Sequence, residues 1–424
     1  MKHQYNVYSA EKIANLAIRM LEECESKSNL DDTLDRIRNS EFIKTVSDIL
    51  FNYFRNKAKI DYIIAKFAEK RGKRTPPKFK RVLDVAVTQM LYQTGIKVEI
   101  ASDVAVTIVK KKYGVRAGGF INAVLRQVSA SDVSEHLKGA PENILLNIPE
   151  KIYNRWQKEI PEFLSTFTKF ADKRAPVTFR LTGEVSEEEL SEAECFKVTL
   201  PEWADGYDFY RVKDAGVLFK KNWLQDGKIY IQDPSTLSPC SMYTPHSGDI
   251  ALDLCSAPGG KTLLLAEKMG ECGIVISSDL SFFRQLRSQE NITAHKLDNC
   301  LIIAASALSP PFLANCADMV LLDVPCSNTG VFRKRPDVLW NFSERKLREL
   351  VQLQKKMLEK SLHLLKEGGT LIYSTCSIEP VENSEQVKLF LKRHPELKLL
   401  EERQLFPSAF HDGGYSARIS IPSS

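Results

Sequence analysis

The sequence predicts an α/β protein whose C-terminal half is a mostly parallel sheet with helices on both faces, preceded by an all-helical region and a small α+β module. Three observations carry this. From about Tyr5 to Ala130 the apolar positions recur at helical spacing with no strand alternation between them. From about Tyr230 onward strand-like and helix-like segments alternate, the pattern of a parallel sheet. Between the two, a stretch mixes both kinds. At 424 residues the chain is long for one core, and a partition into 1–140, 141–229 and 230–424 follows.

In the helical region Ile13, Leu16, Met20 and Leu21 mark one helix, and Phe42, Val46, Ile49, Leu50 and Tyr53 a second. Leu83, Ala86, Val87, Met90 and Leu91 continue the pattern, as do Phe120, Ile121, Val124, Leu125 and Val128. Two basic stretches interrupt it. One runs from Lys66 to Arg81 and contains Lys70, Arg71, Lys73, Arg74, Lys78 and Lys80; the other is Lys110–Lys112 running on to Arg116. Each is either a solvated face or a phosphate-contacting surface. Polar residues from Ser129 to Glu142, with Gly139 and Pro141, read as a linker. Ile148 to Phe170 is then helical, and Val177–Leu181, Phe196–Leu200 and Val217–Phe219 read as strands.

In the C-terminal half Ile250–Leu254 is the first strand, followed by a turn and a helix from Thr262 to Lys268. Ile274–Ser277, Cys300–Ile303 and Met319–Leu322 are the next three strands. A long helix carrying Leu347, Leu350, Val351, Met357, Leu358, Leu362 and Leu365 ends at Gly368-Gly369, and Thr370–Tyr373 is the fifth strand.

Composition bounds the rest. A net charge of +5 over this length neither requires nor excludes nucleic acid. Met1 to Met20 lacks the uninterrupted apolar region of a signal peptide, and no apolar run approaches membrane-spanning length, so a soluble cytoplasmic protein without a membrane partner is expected. The nine cysteines never form a Cys-x-x-Cys pair, which argues against a disulfide framework or a zinc site. Free thiols and no metal are expected.

The chemistry sits in four short stretches at the carboxyl ends of these strands: Asp253–Lys261, Ser278-Asp279, Leu322–Cys326 and Ser374–Cys376. Gly260-Lys261-Thr262 invites a phosphate-loop reading, but that motif needs a glycine where Cys255 stands. The dinucleotide fingerprint Gly-x-Gly-x-x-Gly is absent too. What remains is a strand ending in Asp253, a Pro258-Gly259-Gly260 turn that lets backbone approach a ligand, and Asp279 some 20 residues beyond the glycines, where an acid accepts from ribose hydroxyls. A nucleoside-bearing cofactor without a pyrophosphate fits, and S-adenosyl-L-methionine is the natural candidate. Cys326 and Cys376 each stand just past a strand on this edge, where ligands of open α/β sheets bind. Cys24, Cys195, Cys272, Cys300 and Cys316 read instead as small core residues.

Two cysteines beside such a cofactor suit methyl transfer to carbon 5 of a pyrimidine. That carbon is too poor a nucleophile to take a methyl group from a sulfonium directly, whereas a thiolate adding to carbon 6 turns the ring into an enamine that can. Asp323 is placed to stabilise the adduct near nitrogen 3 or to touch the cofactor. Spacing leaves open which cysteine attacks.

These residues resemble the RNA cytosine-carbon-5 methyltransferases of the RsmB/NOP family through the whole catalytic half. Gln232–Pro239 resembles the motif ahead of the first strand, and Asp253–Thr262 the cofactor loop. Asp323–Ser327 with Thr329-Gly330 and Arg333–Asp337 resembles the fourth motif. Ser374–Ile378 with Pro380 and Glu382-Asn383 resembles the sixth, and Asp412–Tyr415 the closing one. The resemblance implies a Rossmann-like class I methyltransferase sheet with Cys376 as the nucleophile and Cys326 helping to release the product. It also implies that Cys255, Ser256, Ala257, Pro258, Gly259, Gly260, Lys261, Asp279 and Asp323 line the cofactor site. Phe120–Arg126 and Val85–Tyr92 resemble the NusB-like RNA-binding domain fused to members acting on small-subunit ribosomal RNA, and the middle module resembles the family's small RNA-recognition-like domain.

By resemblance, then, the expected activity is formation of 5-methylcytosine in small-subunit (16S) rRNA; the sequence leaves the oligomeric state open, with a monomer favoured. The same chemistry on tRNA or large-subunit rRNA, and a non-catalytic ribosome-assembly factor, are the alternatives. One position departs from the family: the turn after the third strand usually carries an acid that reads the adenine, and here it is Ala305-Ser306-Ala307. Ser306 can still accept a hydrogen bond, so a loss of ~1 kcal/mol in cofactor binding is expected.

Overall fold

The computed structural model describes residues 7–26, 29–69, 75–171 and 174–422. Lys70, Arg71, Lys73 and Arg74 of the first basic stretch lie outside the described residues. The chain divides into two compact units, Met1–Asp172 with Arg335–Asn341, and Lys173–Lys334 with Phe342–Ser424. These borders do not coincide with the expected ones at 140 and 229.

The first unit is helical. Its principal helices are Val7–Ser26, Ile43–Glu69, Pro77–Tyr92, Val98–Tyr113 and Val115–Ala130. They bury one apolar stripe each: Val46, Ile49, Leu50, Phe54, Leu83, Val87, Val109, Ile121, Val124 and Leu125 are fully buried in one core. The unit runs past the expected linker because Asn147, at φ 56°, clips the long helix through its side chain. Its amide donates to the Phe54 carbonyl at 2.8 Å and its oxygen accepts from the Ala58 N–H at 2.9 Å. Within the same unit the Asp337 carboxylate accepts from the Leu30 N–H at 3.0 Å and caps the short helix Leu30–Asp35.

Several described residues of both basic stretches are engaged with their own neighbours. Lys80 and Arg81 pair with the fully buried Asp84, and with Asp61 and Glu25 respectively. Lys111 pairs with Glu11, and Lys78 and Lys112 lie over the Tyr113 ring. An isolated buried Asp84 would be expensive. Much of this charge therefore serves the fold.

The second unit holds two sheets. The smaller comprises β1 (Val177–Leu181), β2 (Cys195–Lys197), β3 (Phe209–Val212) and β4 (Ile229–Ile231), in the order β2-β3-β1-β4 and antiparallel throughout. The larger comprises β5 (Asp249–Leu254), β6 (Gly273–Asp279), β7 (Cys300–Ala304), β8 (Ala317–Asp323), β9 (Leu365–Thr375), β10 (Lys398–Leu405) and β11 (Gly414–Ser420), ordered β10-β11-β9-β8-β5-β6-β7. The five strands β5 to β9 are parallel where they pair, and β11 is antiparallel to both β9 and β10. Buried both ways, β5 and β8 read as continuous apolar runs. The fold is thus the Rossmann-like methyltransferase sheet preceded by a helical unit.

Three local expectations are corrected. Val217–Phe219 lies in the helix Gly216–Lys220, because the Asp214 carboxylate accepts from the Gly216 N–H at 2.9 Å and starts a turn that buries Leu218. The long helix runs from Glu344 to Leu362 and does not reach Gly368-Gly369. Those glycines belong to β9, held by the Ile421 N–H donating to the Gly369 carbonyl at 3.0 Å. Cys272 is exposed, at the tip of a turn, rather than in a core.

Candidate active site

The parallel ladder fixes where the chemistry-bearing residues end up. Asp253 stands opposite Ser277 and Leu321, Asp279 opposite Ala304, and Asp323 opposite Ser374. Asp253, Asp279, Asp323 and the Ser374–Cys376 stretch therefore line the carboxyl ends of β5, β6, β8 and β9, four neighbours in the sheet.

After β5 the chain turns sharply at Cys255, φ 64°, and enters the helix Gly260–Met269. The loop is anchored from below. The Thr262 hydroxyl donates to Asp253 at 2.6 Å, the Ser277 hydroxyl donates to Ser256 at 2.7 Å, and the Ser256 N–H donates to the Ser278 carbonyl at 3.1 Å. Gly259 has φ 98°, and a Cβ there would sit 3.1 Å from the Ser288 Cβ. The glycine thus lets the loop close against the helix Phe282–Ala294, a constraint from the protein itself.

Asp279 organises the outer side of the loop. One carboxylate oxygen accepts from the Ser281 N–H at 2.9 Å, and the other from the Ala257 N–H at 3.2 Å and from Arg284 at 3.3 Å. Arg284 also donates to the Ala257 carbonyl. Ser306, the departing residue, is partly buried, and its hydroxyl accepts from the Leu308 N–H at 3.2 Å within its own turn.

On the inner side Lys261 Nζ donates to Asp323 Oδ2 at 2.7 Å. Burial pulls the Lys261 ammonium down, but the adjacent Asp323 carboxylate outweighs it and holds the lysine above its ordinary range. Asp253 is fully buried, one of its oxygens has no hydrogen-bond partner, and burial pushes its carboxyl up to about 7. Cys255 is a poor nucleophile here, since burial pushes its thiol up to about 12.

The two remaining cysteines meet. Cys326 Sγ and Cys376 Sγ are 3.3 Å apart, although 50 residues separate them in the chain. Cys326 is 8% exposed and Cys376 is partly exposed. The hydrogen bond with Cys376, followed by burial, pushes the Cys326 thiol well above the usual range. Cys376 donates to Asn328 Oδ1 at 2.9 Å, and the Asn328 amide is oriented by donating to the Cys326 carbonyl at 3.2 Å. Asn328 is left-handed at φ 58°, a conformation asparagine tolerates.

Backbone contacts lock this corner. The Gly330 N–H donates to the Cys376 carbonyl and the Gly413 N–H to the Gly330 carbonyl, both at 2.9 Å. The closing motif and the motif ahead of the first strand meet at one partly buried cation, where Lys334 pairs with both Asp233 and Asp412. All the sequence-predicted site residues thus fall on one sheet edge. Asn328 and Glu382 acquire parts in the cysteine corner that sequence did not assign. Glu382 stands in the quoted sixth motif and Asn328 between the quoted Ser327 and Thr329, but nothing local marks an asparagine as a thiol's partner or an acid as holding the turn at Cys326.

Among the described residues, no helix is long and apolar enough to cross a membrane, and no cluster of ligating side chains could hold a metal ion.

Comparison with known proteins agrees with this arrangement. Residues 240–421 match the model of the family described as 16S rRNA methyltransferase RsmB/F, and residues 11–130 match the NusB family. Ribosomal RNA small subunit methyltransferase B of Shigella boydii serotype 4 (strain Sb227) is 28% identical over 407 residues, covering 95% of this chain and 93% of the relative. Among solved structures, PH0851 superposes with a TM-score of 0.76 at 22% identity over 99% of this chain and 100% of that one. A methyltransferase homolog protein from Pyrococcus horikoshii gives a TM-score of 0.57 at 25% identity over 66% and 97%. A cofactor-type loop, acids at the ends of β5, β6 and β8 and a thiol pair thus share one sheet edge within residues 240–421, which match the RsmB/F methyltransferase family, and residues 11–130 ahead of them match the NusB family.

Proposed function

We propose that this protein forms 5-methylcytosine in small-subunit (16S) ribosomal RNA, with S-adenosyl-L-methionine as methyl donor and Cys376 as the nucleophile. The single observation that carries the reading is the thiol pair, Cys326 and Cys376 at 3.3 Å beside the Lys261–Asp323 ion pair. The family match and the small-subunit relative support rRNA as the substrate class.

The loop 255–261, Asp279 and Asp323 would hold the cofactor. When bound, S-adenosyl-L-methionine supplies a methyl group on a positively charged sulfonium. The chain's own residues do the remaining work. Cys376 Sγ adds to carbon 6 of the cytosine, which makes carbon 5 nucleophilic. Asp323, paired with Lys261, would either donate a proton toward nitrogen 3, where negative charge builds in the adduct, or touch the cofactor. After carbon 5 loses its proton, expulsion of the Cys376 thiolate restores the aromatic ring, and Cys326 assists this release. The base must leave its stack to reach Cys376, which favours a loop or partly assembled RNA over a long duplex.

The test pairs two variants. Cys376→Ala is expected to lose both methylation and the covalent adduct, and Cys326→Ala to accumulate an RNA-linked protein on a denaturing gel. Full activity in Cys376→Ala would overturn the assignment. Bisulfite sequencing of RNA from cells with and without the protein would name the cytosine.

A further inference from the structure

The cysteine corner contains a buried acid that the mechanism above does not use. Glu382 is fully buried, on the short turn Pro380–Glu382 after β9. Its carboxylate meets donors only. It accepts from the Ser327 N–H at 2.9 and 3.3 Å, from the Ser327 hydroxyl at 2.5 Å, and from the Gln354 amide at 2.9 Å. Gln354 Nε2, itself fully buried, also donates to the Pro325 carbonyl at 3.0 Å. Both residues flanking Cys326 are therefore gripped by the Glu382–Gln354 pair. Glu382 is in turn fixed by the Tyr373 hydroxyl, which donates to its backbone carbonyl at 2.7 Å. Among the described residues no ion pair is formed by Glu382, and dipoles alone hold its charge directly behind the Cys326 turn.

A negative charge behind one of two touching thiols makes them unequal. We propose that Glu382 is a positioning residue that grips the Cys326 turn and sets its charge behind that sulfur alone, so that of the two touching cysteines Cys376 is the one that attacks. This rests on the reading that the two cysteines divide the work of methyl transfer. The other titratable groups around the corner are Cys376, whose sulfur touches Cys326, the buried Tyr373 phenol, and the Lys261–Asp323 pair on the cofactor side. Of the two carboxylates, Asp323 is neutralised by a lysine and Glu382 is not. The Cys376 hydrogen bond raises the Cys326 thiol most, burial next, and the Glu382 charge adds a smaller push in the same direction.

The experiment needs neither RNA nor cofactor, so its failure is distinct from a failure of the proposed activity. Full-length Cys376→Ala protein is alkylated with iodoacetamide between pH 6 and 10, and modification at Cys326 is followed by peptide mass spectrometry. Adding Glu382→Gln is expected to move the profile down by about one pH unit, which is roughly tenfold faster alkylation at a fixed pH below the midpoint. Glu382→Asp, which keeps the charge, is expected to stay with the parent. A folded Glu382→Gln protein with an unchanged profile would mean that the acid is merely structural, and the proposal fails. Should Glu382→Gln not fold, Ser327→Ala leaves the charge less neutralised and is expected to move the profile upward; no movement there overturns the proposal equally.

Discussion

Asp253, Asp279, Asp323, Cys326 and Cys376 could be singled out as residues because each stands where a strand ends, and the register of β5, β6, β8 and β9 brings them to one edge. Their partners could not be singled out. That Asn328 accepts the Cys376 hydrogen bond, or that Glu382 grips the Cys326 turn, depends on loops from two strands meeting. Ser306 is the residue where the family pattern breaks, and its hydroxyl is spent on the Leu308 N–H. Restoring an acid there supplies a second acceptor oxygen. Ser306→Asp is therefore expected to tighten S-adenosyl-L-methionine by ~1 kcal/mol, roughly fivefold in Kd by titration calorimetry. An unchanged Kd would show that this turn does not read the cofactor.

At the scale of elements, apolar periodicity located the five parallel strands β5 to β9, since runs such as Ile250–Leu254 and Met319–Leu322 are buried on both faces. It misjudged elements whose state depends on a partner. The stretch Leu365–Gly369 reads as the end of a helix, yet its backbone pairs with Ala317 and with the segment after β11, and it is strand. β10 and β11 were not anticipated, because β10 is largely exposed and carries little apolar signal. Their pairing nonetheless sets the closing motif against the cysteine loop. Gly330 is the contact point: a Cβ there would lie 2.6 Å from the Gly413 carbonyl oxygen and 2.8 Å from that of Cys376. None of these backbone atoms can yield without moving the nucleophile. Gly330→Ala is expected to reduce turnover on rRNA at least about tenfold, the scale of a small misplacement of a catalytic group, and to lower the melting temperature by a few degrees. Wild-type turnover in that variant would show that the corner is more compliant than its packing indicates.

For the whole molecule, a buried carboxyl links the site to stability. Asp253 shifts from 3.8 to about 7 because burial disfavours its charged form. Its folded value is raised, so between about pH 4 and 7 the folded state keeps a proton that the unfolded chain has lost. The stabilisation is fully present below the unfolded value and is lost as the pH rises through about 7. Asp253→Asn, which stays neutral and can still accept from Thr262, is expected to gain on the parent as the pH rises from 5 to 8. The gain is of the order of a few kcal/mol by the same relation, read as a widening gap between thermal midpoints of the full chain. Parallel curves would mean that Asp253 is not a buried titrating group.

The sequence by itself determined the class of fold and the strand ends that the proposed chemistry uses, and it carried the resemblance to the methyltransferase family. These are local properties, written in periodicity and in motifs a few residues long. Only the tertiary structure decided that the helices after residue 140 join the helical unit through Asn147, that Lys80 and Arg81 are tied to the buried Asp84, and that Cys326 and Cys376 touch with Glu382 behind one of them. The physical reason is common to all three. Which groups become neighbours across 50 or 90 residues depends on sheet register and helix packing, and no local pattern encodes the position of a partner from a distant loop.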